Sequence, residues 1–246
     1  MKPHLSIDEL EICHTEDDSV TVRHRTLDAH YRSTHGANAE SKWVFFDGCR
    51  LTHQSVWRVV EVGFGLGTNL HTLLHQRSMH AVPPSLHYIG LDHQPIPSTL
   101  IDELQMTHPD MPDILASLLN QIEKGQSKAI WHHETLTIEL WAMDLQNADL
   151  PVNWANAVFH DPFGPSTNPE SWTPEAFQIL ANTLQSHGIL STYGAAGHAR
   201  RAMVSAGMWT ASTKGFGRKR EMTLASKDST QLQHGTLIQK YVPMQP

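Results

Sequence analysis

Residues 58–69 are the segment of the chain that most restricts its fold. They read Arg-Val-Val-Glu-Val-Gly-Phe-Gly-Leu-Gly-Thr-Asn, so a short β-branched run ends in an acid and leads into three alternate glycines. Such a pattern predicts a strand that enters a tight loop before a helix, because glycine lets the backbone turn sharply and approach a ligand. We therefore expect a ligand-binding loop after the first strand of an α/β sheet.

The spacing of these glycines limits the ligand. A dinucleotide loop has the spacing G-x-G-x-x-G and receives a pyrophosphate at the helix N-terminus. Here the third glycine comes one residue earlier, and Glu61 precedes the first, where a carboxylate repels phosphate and suits a cationic or amino-bearing ligand. The pattern resembles the first motif of the Rossmann-like S-adenosylmethionine methyltransferases. That resemblance implies S-adenosylmethionine as cofactor, with Glu61 at its methionine end, and implies these cofactor-binding residues: Glu61, Gly63, Phe64, Gly65, Gly67 and Asn69.

Composition sets outer limits on the class of protein. A chain of 246 residues that is 39% hydrophobic and 17% charged suits a single α/β domain. We expect residues 53–230 to form its core and residues 1–52 to form an irregular or hairpin-forming extension. No apolar run approaches the roughly 20 residues that span a bilayer, and no hydrophobic signal core is visible, so we expect a soluble, cytoplasmic protein. Cys13 and Cys49 read as free thiols, and no metal site is expected.

Apolar runs alternate with helix-like segments along the chain. Such alternation predicts a parallel sheet covered on both faces. The last two strands are joined by a loop too short for a crossover helix, so they should be antiparallel. A mostly parallel sheet with a C-terminal antiparallel hairpin is typical of Rossmann-like methyltransferases. We expect strands at 58–62, 86–91, 137–142, 155–159, 188–192, 209–212 and 221–225, and helices at 68–75, 97–104, 114–123, 174–184 and 196–206.

Acidic residues follow the predicted strands. Ligands of open α/β sheets bind beyond the carboxyl ends of the strands, so these acids are candidate site residues. Asp92 is placed to accept the ribose hydroxyls of the cofactor, and Asp144 lies where a methyltransferase commonly has an acid against the adenine amine. Asp161 follows the next strand. Any one of them alone reads as a helix cap or a solvated loop residue, but with Glu61 they form a set.

Several short motifs resemble one family. Residues 161–173 and 215–222 look like the two signatures of the MnmC-type tRNA methyltransferases, and residues 44–48, 63–69 and 191–201 agree with further motifs of that family in the same order. The resemblance implies an enzyme that converts 5-aminomethyl(-2-thio)uridine at the tRNA wobble position to 5-methylaminomethyl(-2-thio)uridine. Its partner would be the tRNA anticodon loop. We expect the stand-alone methyltransferase form without the flavin oxidase domain, working with a separate enzyme that installs the aminomethyl group.

The substrate side of the site follows from the same motifs. Asp161 is the expected catalytic residue, which would orient the amine and receive its proton. The formal net charge is −7, yet residues 200–220 contain six bases and no acid, which favours a local basic face. The expected substrate-binding residues are aromatic ones that stack on bases and basic ones that contact phosphates: Phe163, Trp172, Tyr193, Arg200, Arg201, Arg218, Lys219 and Arg220.

The sequence is also compatible with other functions. A nicotinamide oxidoreductase would need a phosphate-compatible loop, and the Asp161 motif gives it no role. A methyltransferase acting on a small-molecule amine fits the cofactor loop equally well. An inactive scaffold that binds the cofactor also fits, because Pro162 and Gly164 depart from the usual family motif beside Asp161.

Overall fold

The N-terminal part of the chain forms a small antiparallel sheet and a short helix. The computed structural model describes residues 5–14, 20–31, 36–104, 106–217, 219–233 and 235–239. Strands β1 (Leu10–His14), β2 (Val20–His24) and β3 (Ala29–His30) pair in that order. Helix α1 (Ala37–Ser41) leads directly into a π-helical turn at Lys42–Asp47, in which Val44, Phe45 and Phe46 are buried.

A nine-stranded sheet forms the centre of the molecule. Its strands lie in the order β12-β10-β11-β9-β8-β4-β5-β7-β6. The central run from β9 to β7 is parallel, while β6, β10, β11 and β12 are added antiparallel at the two sides. The strands are β4 (Val56–Val62), β5 (Ser85–Leu91), β6 (Lys128–His133), β7 (Leu136–Trp141), β8 (Ala155–His160), β9 (Leu184–Thr192), β10 (Trp209–Lys214), β11 (Glu221–Ser226) and β12 (Thr236–Gln239).

Helices cover both faces of this sheet. The first face packs against α2 (Thr68–Ser78) and α3 (Met111–Glu123), and the second against α4 (Pro174–Thr183) and α5 (Gly197–Ser205). Strand β4 shows the division, because side chains alternate across a strand. Trp57 and Val59 enter the first core, and Val60 and Val62 enter the second. Glu61 has the parity of Trp57 and Val59, so its side chain enters the layer that contains α2.

The predicted architecture is confirmed. All seven predicted strands are present, and β10 and β11 form the antiparallel hairpin. The segment predicted as a helix at 97–104 is a 3-10 helix at Ser98–Leu104. Strand β6 was not predicted, because Lys-Ala-Ile-Trp-His-His is polar and largely exposed at a sheet edge. No helix in the described ranges is both long and apolar enough to cross a bilayer.

Candidate active site

A cavity of about 290 Å³ opens at the carboxyl ends of the central strands. It lies where the strand order reverses, between β4 and β8, and open α/β sheets bind their ligands at this point. Loops from five consecutive parallel strands reach it, together with residues of the N-terminal sheet, α1 and the β10–β11 hairpin. The strand-end loops contribute Gly63–Leu66, Asp92–Gln94, Met143–Gln146, Asp161–Gly164 and Tyr193.

The glycine loop is shaped by packing at two of its three glycines. Gly63 has φ +86°, and a Cβ there would lie 2.5 Å from the carbonyl oxygen of Asp161. Only glycine allows the loops after β4 and β8 to pass this closely. Gly67 has φ +74° and caps α2, and a Cβ there would lie 2.8 Å from Cε of Met111 on α3. The third glycine is therefore required for helix packing, and it does not line the cavity.

Asp92 joins the glycine loop to the next strand. The amide nitrogen of Gly65 donates to Oδ2 of Asp92 at 2.9 Å, and the amide nitrogen of Gln94 donates to Oδ1 at 3.0 Å. Each carboxylate oxygen keeps further acceptor capacity, since it offers two lone pairs. Asp144 follows β7 and lines the same side of the cavity. Two carboxylates thus stand beside the glycine loop on the β5–β7 side.

Asp161 lies across the glycine loop from these acids, and its carboxylate is held by a buried amide. Nδ2 of Asn69 donates to Oδ2 of Asp161 at 2.9 Å and also donates to Oε1 of Glu61. Oδ1 of Asn69 accepts from the Ser41 hydroxyl, and the Tyr88 hydroxyl donates to Glu61 Oε2. Asn69 and Glu61 are completely buried, whereas Asp161 is partly exposed and lines the cavity.

The loop after Asp161 is fixed by two side chains. The Tyr193 hydroxyl donates to the carbonyl oxygen of Pro162 at 2.7 Å, and the Trp172 indole donates to the carbonyl oxygen of Phe163 at 2.9 Å. The Phe163 ring lines the cavity and meets the edge of Tyr31, with centroids 5.1 Å apart. These bonds anchor the backbone of the loop that carries the aromatic wall of the cavity.

A lysine on the hairpin loop closes the cavity on the side of α1. Nζ of Lys219 lies 2.8 Å from Oε1 of Glu40 and 4.8 Å from the centre of the Tyr193 ring. Glu40 is almost completely buried, whereas Lys219 is about half exposed. Lys219, Glu40 and Tyr193 all line the cavity. A cation and an aromatic ring therefore stand together at its rim.

Comparisons with known proteins agree with this geometry. A family model described as an S-adenosyl-L-methionine-dependent methyltransferase matches residues 109–228. The chain is an S-adenosylmethionine-dependent methyltransferase. The crystal structure of MnmC2 from Aquifex aeolicus is similar over 97% of this chain and 80% of that chain, with 23% identity and a TM-score of 0.70. Spermidine synthase from Thermotoga maritima is similar over 92% of this chain and 72% of that chain, with 12% identity and a TM-score of 0.53. The predicted resemblance to the MnmC-type enzymes is confirmed at the level of the fold.

The cofactor side of this methyltransferase fits S-adenosylmethionine. The Gly65 backbone reaches the cavity with φ +53°, and a Cβ there would come within 3.0 Å of the Tyr31 ring, so glycine lets the loop and that ring line the cavity side by side. Asp92 and Asp144 supply acceptors for hydroxyl and amino groups, and Met143 and Leu145 supply apolar surface. Of the residues predicted to bind the cofactor, Gly63, Phe64, Gly65, Asp92 and Asp144 line the cavity.

Three predicted cofactor ligands occupy other positions. Glu61 was expected to face the methionine end of the cofactor, but its carboxylate points into the α2 layer and is bound by Asn69 and Tyr88. Asn69 is buried and bridges two carboxylates, and Gly67 packs against α3. The parity of β4 accounts for the position of Glu61, because alternation places its side chain on the sheet face that also carries Trp57 and Val59.

The predicted substrate-binding residues fall into those that line the cavity and those that lie elsewhere. Phe163, Tyr193 and Lys219 line the cavity. Trp172 is buried in the second core against His160, with ring centroids 4.5 Å apart, and its indole nitrogen positions the Phe163 loop. Arg200 is paired with Glu221 at 2.7 Å and also donates to Thr223. The exposed Arg201 and Arg220 lie away from the cavity lining, and Arg218 lies outside the described residues.

Residues of the N-terminal segment were missed as site residues. Tyr31 and Glu40 line the cavity although they precede the first strand of the large sheet. Burial is the main cause that raises the pKa of the Tyr31 hydroxyl, and the charge of Asp92 adds to it. Tyr31 is therefore a neutral hydroxyl at neutral pH. Among the described residues, no group of three or more His, Cys, Asp and Glu side chains is arranged to hold a metal ion.

Proposed function

We propose that this methyltransferase transfers a methyl group to the 5-aminomethyl nitrogen of the wobble uridine in tRNA. The observation that carries the proposal is the Asp161 carboxylate, which lines the cavity opposite Asp92 and Asp144 and is held there by Asn69. The MnmC-type motifs at 161–173 and 215–222 support the same substrate. The fold shared with MnmC2 from Aquifex aeolicus is consistent with it.

Methyl transfer requires mainly that the protein align the amine nitrogen with the methyl group of the cofactor. When bound, S-adenosylmethionine supplies an electrophilic methyl group on a sulfonium, and displacement requires an amine nitrogen in line with it. The amine is largely protonated in water at neutral pH, so a proton must leave before the nitrogen attacks. We assign Asp161 first to orienting the amine, because a carboxylate also favours the ammonium form. It then receives the proton directly or through water.

The rim of the cavity suits an extruded base. A wobble base lies in a single-stranded loop, so moving it into a pocket costs less than flipping it from a duplex. Phe163 and Tyr31 supply aromatic surface beside Asp161, and Tyr193 stands near Lys219. We infer that the base enters between the Phe163 loop and the hairpin loop, while Lys219 meets an adjacent phosphate.

Methylation of defined tRNA tests the proposal. Purified protein is incubated with S-adenosylmethionine and tRNA that carries 5-aminomethyluridine at the wobble position, and nucleosides are analysed by mass spectrometry. We expect 5-methylaminomethyluridine from this tRNA and no methylation of the same tRNA with an unmodified uridine. The free 5-aminomethyluridine nucleoside is the matched small-amine substrate. Faster methylation of the nucleoside than of the tRNA would contradict the proposal and favour a small-molecule amine.

A further inference from the structure

A second cavity, of about 500 Å³, lies on the other side of the π-helical turn. Its walls come from the turn itself, from the segment that follows it and from the β10–β11 hairpin. Trp43, Arg50, His53, Lys214 and Met222 are among its lining residues. None of them belongs to the methyl-transfer cavity described above.

Arg50 is the unusual residue of this second cavity. Its Nη2 nitrogen is buried, and no described residue supplies an acceptor for it. A buried donor without an acceptor costs free energy. The backbone of Arg50 is also left-handed, with φ 54° and ψ 39°, a conformation that a non-glycine residue rarely adopts. Strain and an unsatisfied donor at one residue are typical of a position kept for a ligand.

The charges of the cavity favour an anion. Arg50 and Lys214 bring two cations to its lining, and the lining carboxylate of Asp47 is already paired with Lys42 at 2.8 Å. A guanidinium offers a planar fork of donors that matches a phosphate better than an ammonium does. We propose that this cavity binds a phosphate group, and that the phosphate belongs to the backbone of the RNA substrate.

The continuity of the two cavities favours RNA over a free anion. The two cavities share two structural elements. On the segment 37–47, Glu40 and Phe45 line the first cavity, and Trp43 and Asp47 line the second. On the β10–β11 hairpin, Lys219 lines the first cavity and Lys214 lines the second. Lys214 pairs with Glu221, which lies two residues from Lys219 along the chain. Two residues span at most about 7 Å. The second cavity therefore lies within reach of the backbone of a polyanion whose base enters the first. This identification of the phosphate rests on the proposed function.

Substitution of Arg50 tests the site in two assays. In the first, tRNA binding is measured by fluorescence anisotropy from low to moderate salt for the wild type, Arg50→Gln and Arg50→Lys. Lys124→Gln, at an exposed lysine directly after α3, is the matched control. We expect Arg50→Gln to weaken binding by about fivefold or more and to reduce the salt slope by about one, because one phosphate contact is lost. Arg50→Lys should fall between, and Lys124→Gln should match the wild type.

The second assay uses inorganic phosphate and does not depend on RNA. Phosphate should raise the melting temperature of the wild type and of Lys124→Gln more than that of Arg50→Gln. Equal shifts in all three proteins would overturn the phosphate site. An Arg50-dependent shift combined with unchanged tRNA affinity would overturn the assignment to RNA. If the wild type binds no tRNA, the proposed function fails, while the phosphate assay still decides on the site. Calorimetric binding of S-adenosylmethionine should be equal in all variants and reports that each is folded.

Discussion

Asn69 donates a hydrogen bond to the Asp161 carboxylate at 2.9 Å from a side chain that is completely buried. The same amide nitrogen donates to Glu61, so one residue in the first turn of α2 connects the acids of β4 and β8. An amide is the right group at this position, because it supplies two donors to two carboxylates and adds no charge. The orientation of Asp161 is therefore set from inside the protein.

Asn69→Asp should destabilise the protein strongly. The change keeps the size of the side chain but replaces its donors with a carboxylate beside Glu61 and Asp161, and unpaired buried charge costs roughly 3 kcal/mol or more. Asn182→Asp places the same substitution at an exposed position and should change the free energy of unfolding by less than about 0.5 kcal/mol. Urea denaturation of both variants measures the difference, and equal midpoints would contradict the buried network.

Asp161→Asn should lower turnover by about a hundredfold or more while leaving cofactor affinity nearly unchanged, because it removes the charge and the ability to accept a proton. Asp144→Asn is the matched change on the cofactor side. There we expect weaker S-adenosylmethionine binding and turnover that recovers at saturating cofactor. Steady-state kinetics with calorimetry separates the two. The opposite pattern, with Asp161→Asn rescued by cofactor, would place Asp161 in the cofactor site.

Gly63→Ala and Gly207→Ala should lower the free energy of unfolding by different amounts, although both glycines have a left-handed backbone. Gly207 has φ +81° with no atom within 4 Å of an added Cβ, so alanine there costs only the left-handed strain of about 1–2 kcal/mol. At Gly63 the new Cβ would collide with the backbone of Asp161, and overpacking adds about 1–3 kcal/mol. Thermal unfolding gives both values. Similar losses would show that the β4 and β8 loops separate easily.

Stability should fall as the pH drops below 6.5, because burial lowers the pKa of His160 from 6.5 to about 4. The unfolded chain binds the proton first, so stability rises with pH between the two values and is fully present above pH 6.5. Over that window one such histidine accounts for about 3 kcal/mol. The pKa of His71 is also lowered to about 4, so its titration adds to the pH dependence of the free energy of unfolding.

Removing the titrating ring tests this account. His160→Gln should flatten the dependence of the free energy of unfolding on pH, even if the variant is less stable at every pH. The exposed His198 provides the control, since His198→Gln should leave the slope unchanged. A slope for His160→Gln equal to that of the wild type would assign the acid sensitivity to other groups.

The sequence predicts the layered fold and the position of Asp161 because both depend on local signals. The strands that carry the cavity are apolar runs bounded by turn residues, and Asp161 directly follows one of them. The environment of the Glu61 side chain was not predicted from these local signals. Glu61 stands one residue before the end of its strand, and alternation turns its carboxylate into the α2 layer. Spacing shows that Glu61 shares a face with Trp57 and Val59, but only the fold shows that Asn69 and Tyr88 meet its carboxylate on that face.

Residues far apart in the chain make up the rest of the site. Tyr31 and Glu40 reach the cavity from the N-terminal segment, and no periodicity in residues 1–52 shows that this segment folds over the strand ends. Arg200 illustrates the reverse case. A cluster of bases in the sequence suggested a contact surface, but the fold places Glu221 at the start of β11 within 2.7 Å of Arg200 on α5 and neutralises it. Charge counts along a chain do not show which ions pair.

The π-helical turn at Lys42–Asp47 gives the two cavities a common partition. A π-helical turn holds a residue more than an α-helix of the same rise, and side chains on a helix are offset by about 100° per residue. Deleting one residue between Trp43 and Phe45 would therefore rotate the two side chains relative to each other, so that they could no longer line the second and the first cavity at the same time. A change of shape at this wall therefore alters the methyl-transfer cavity and the Arg50 cavity together.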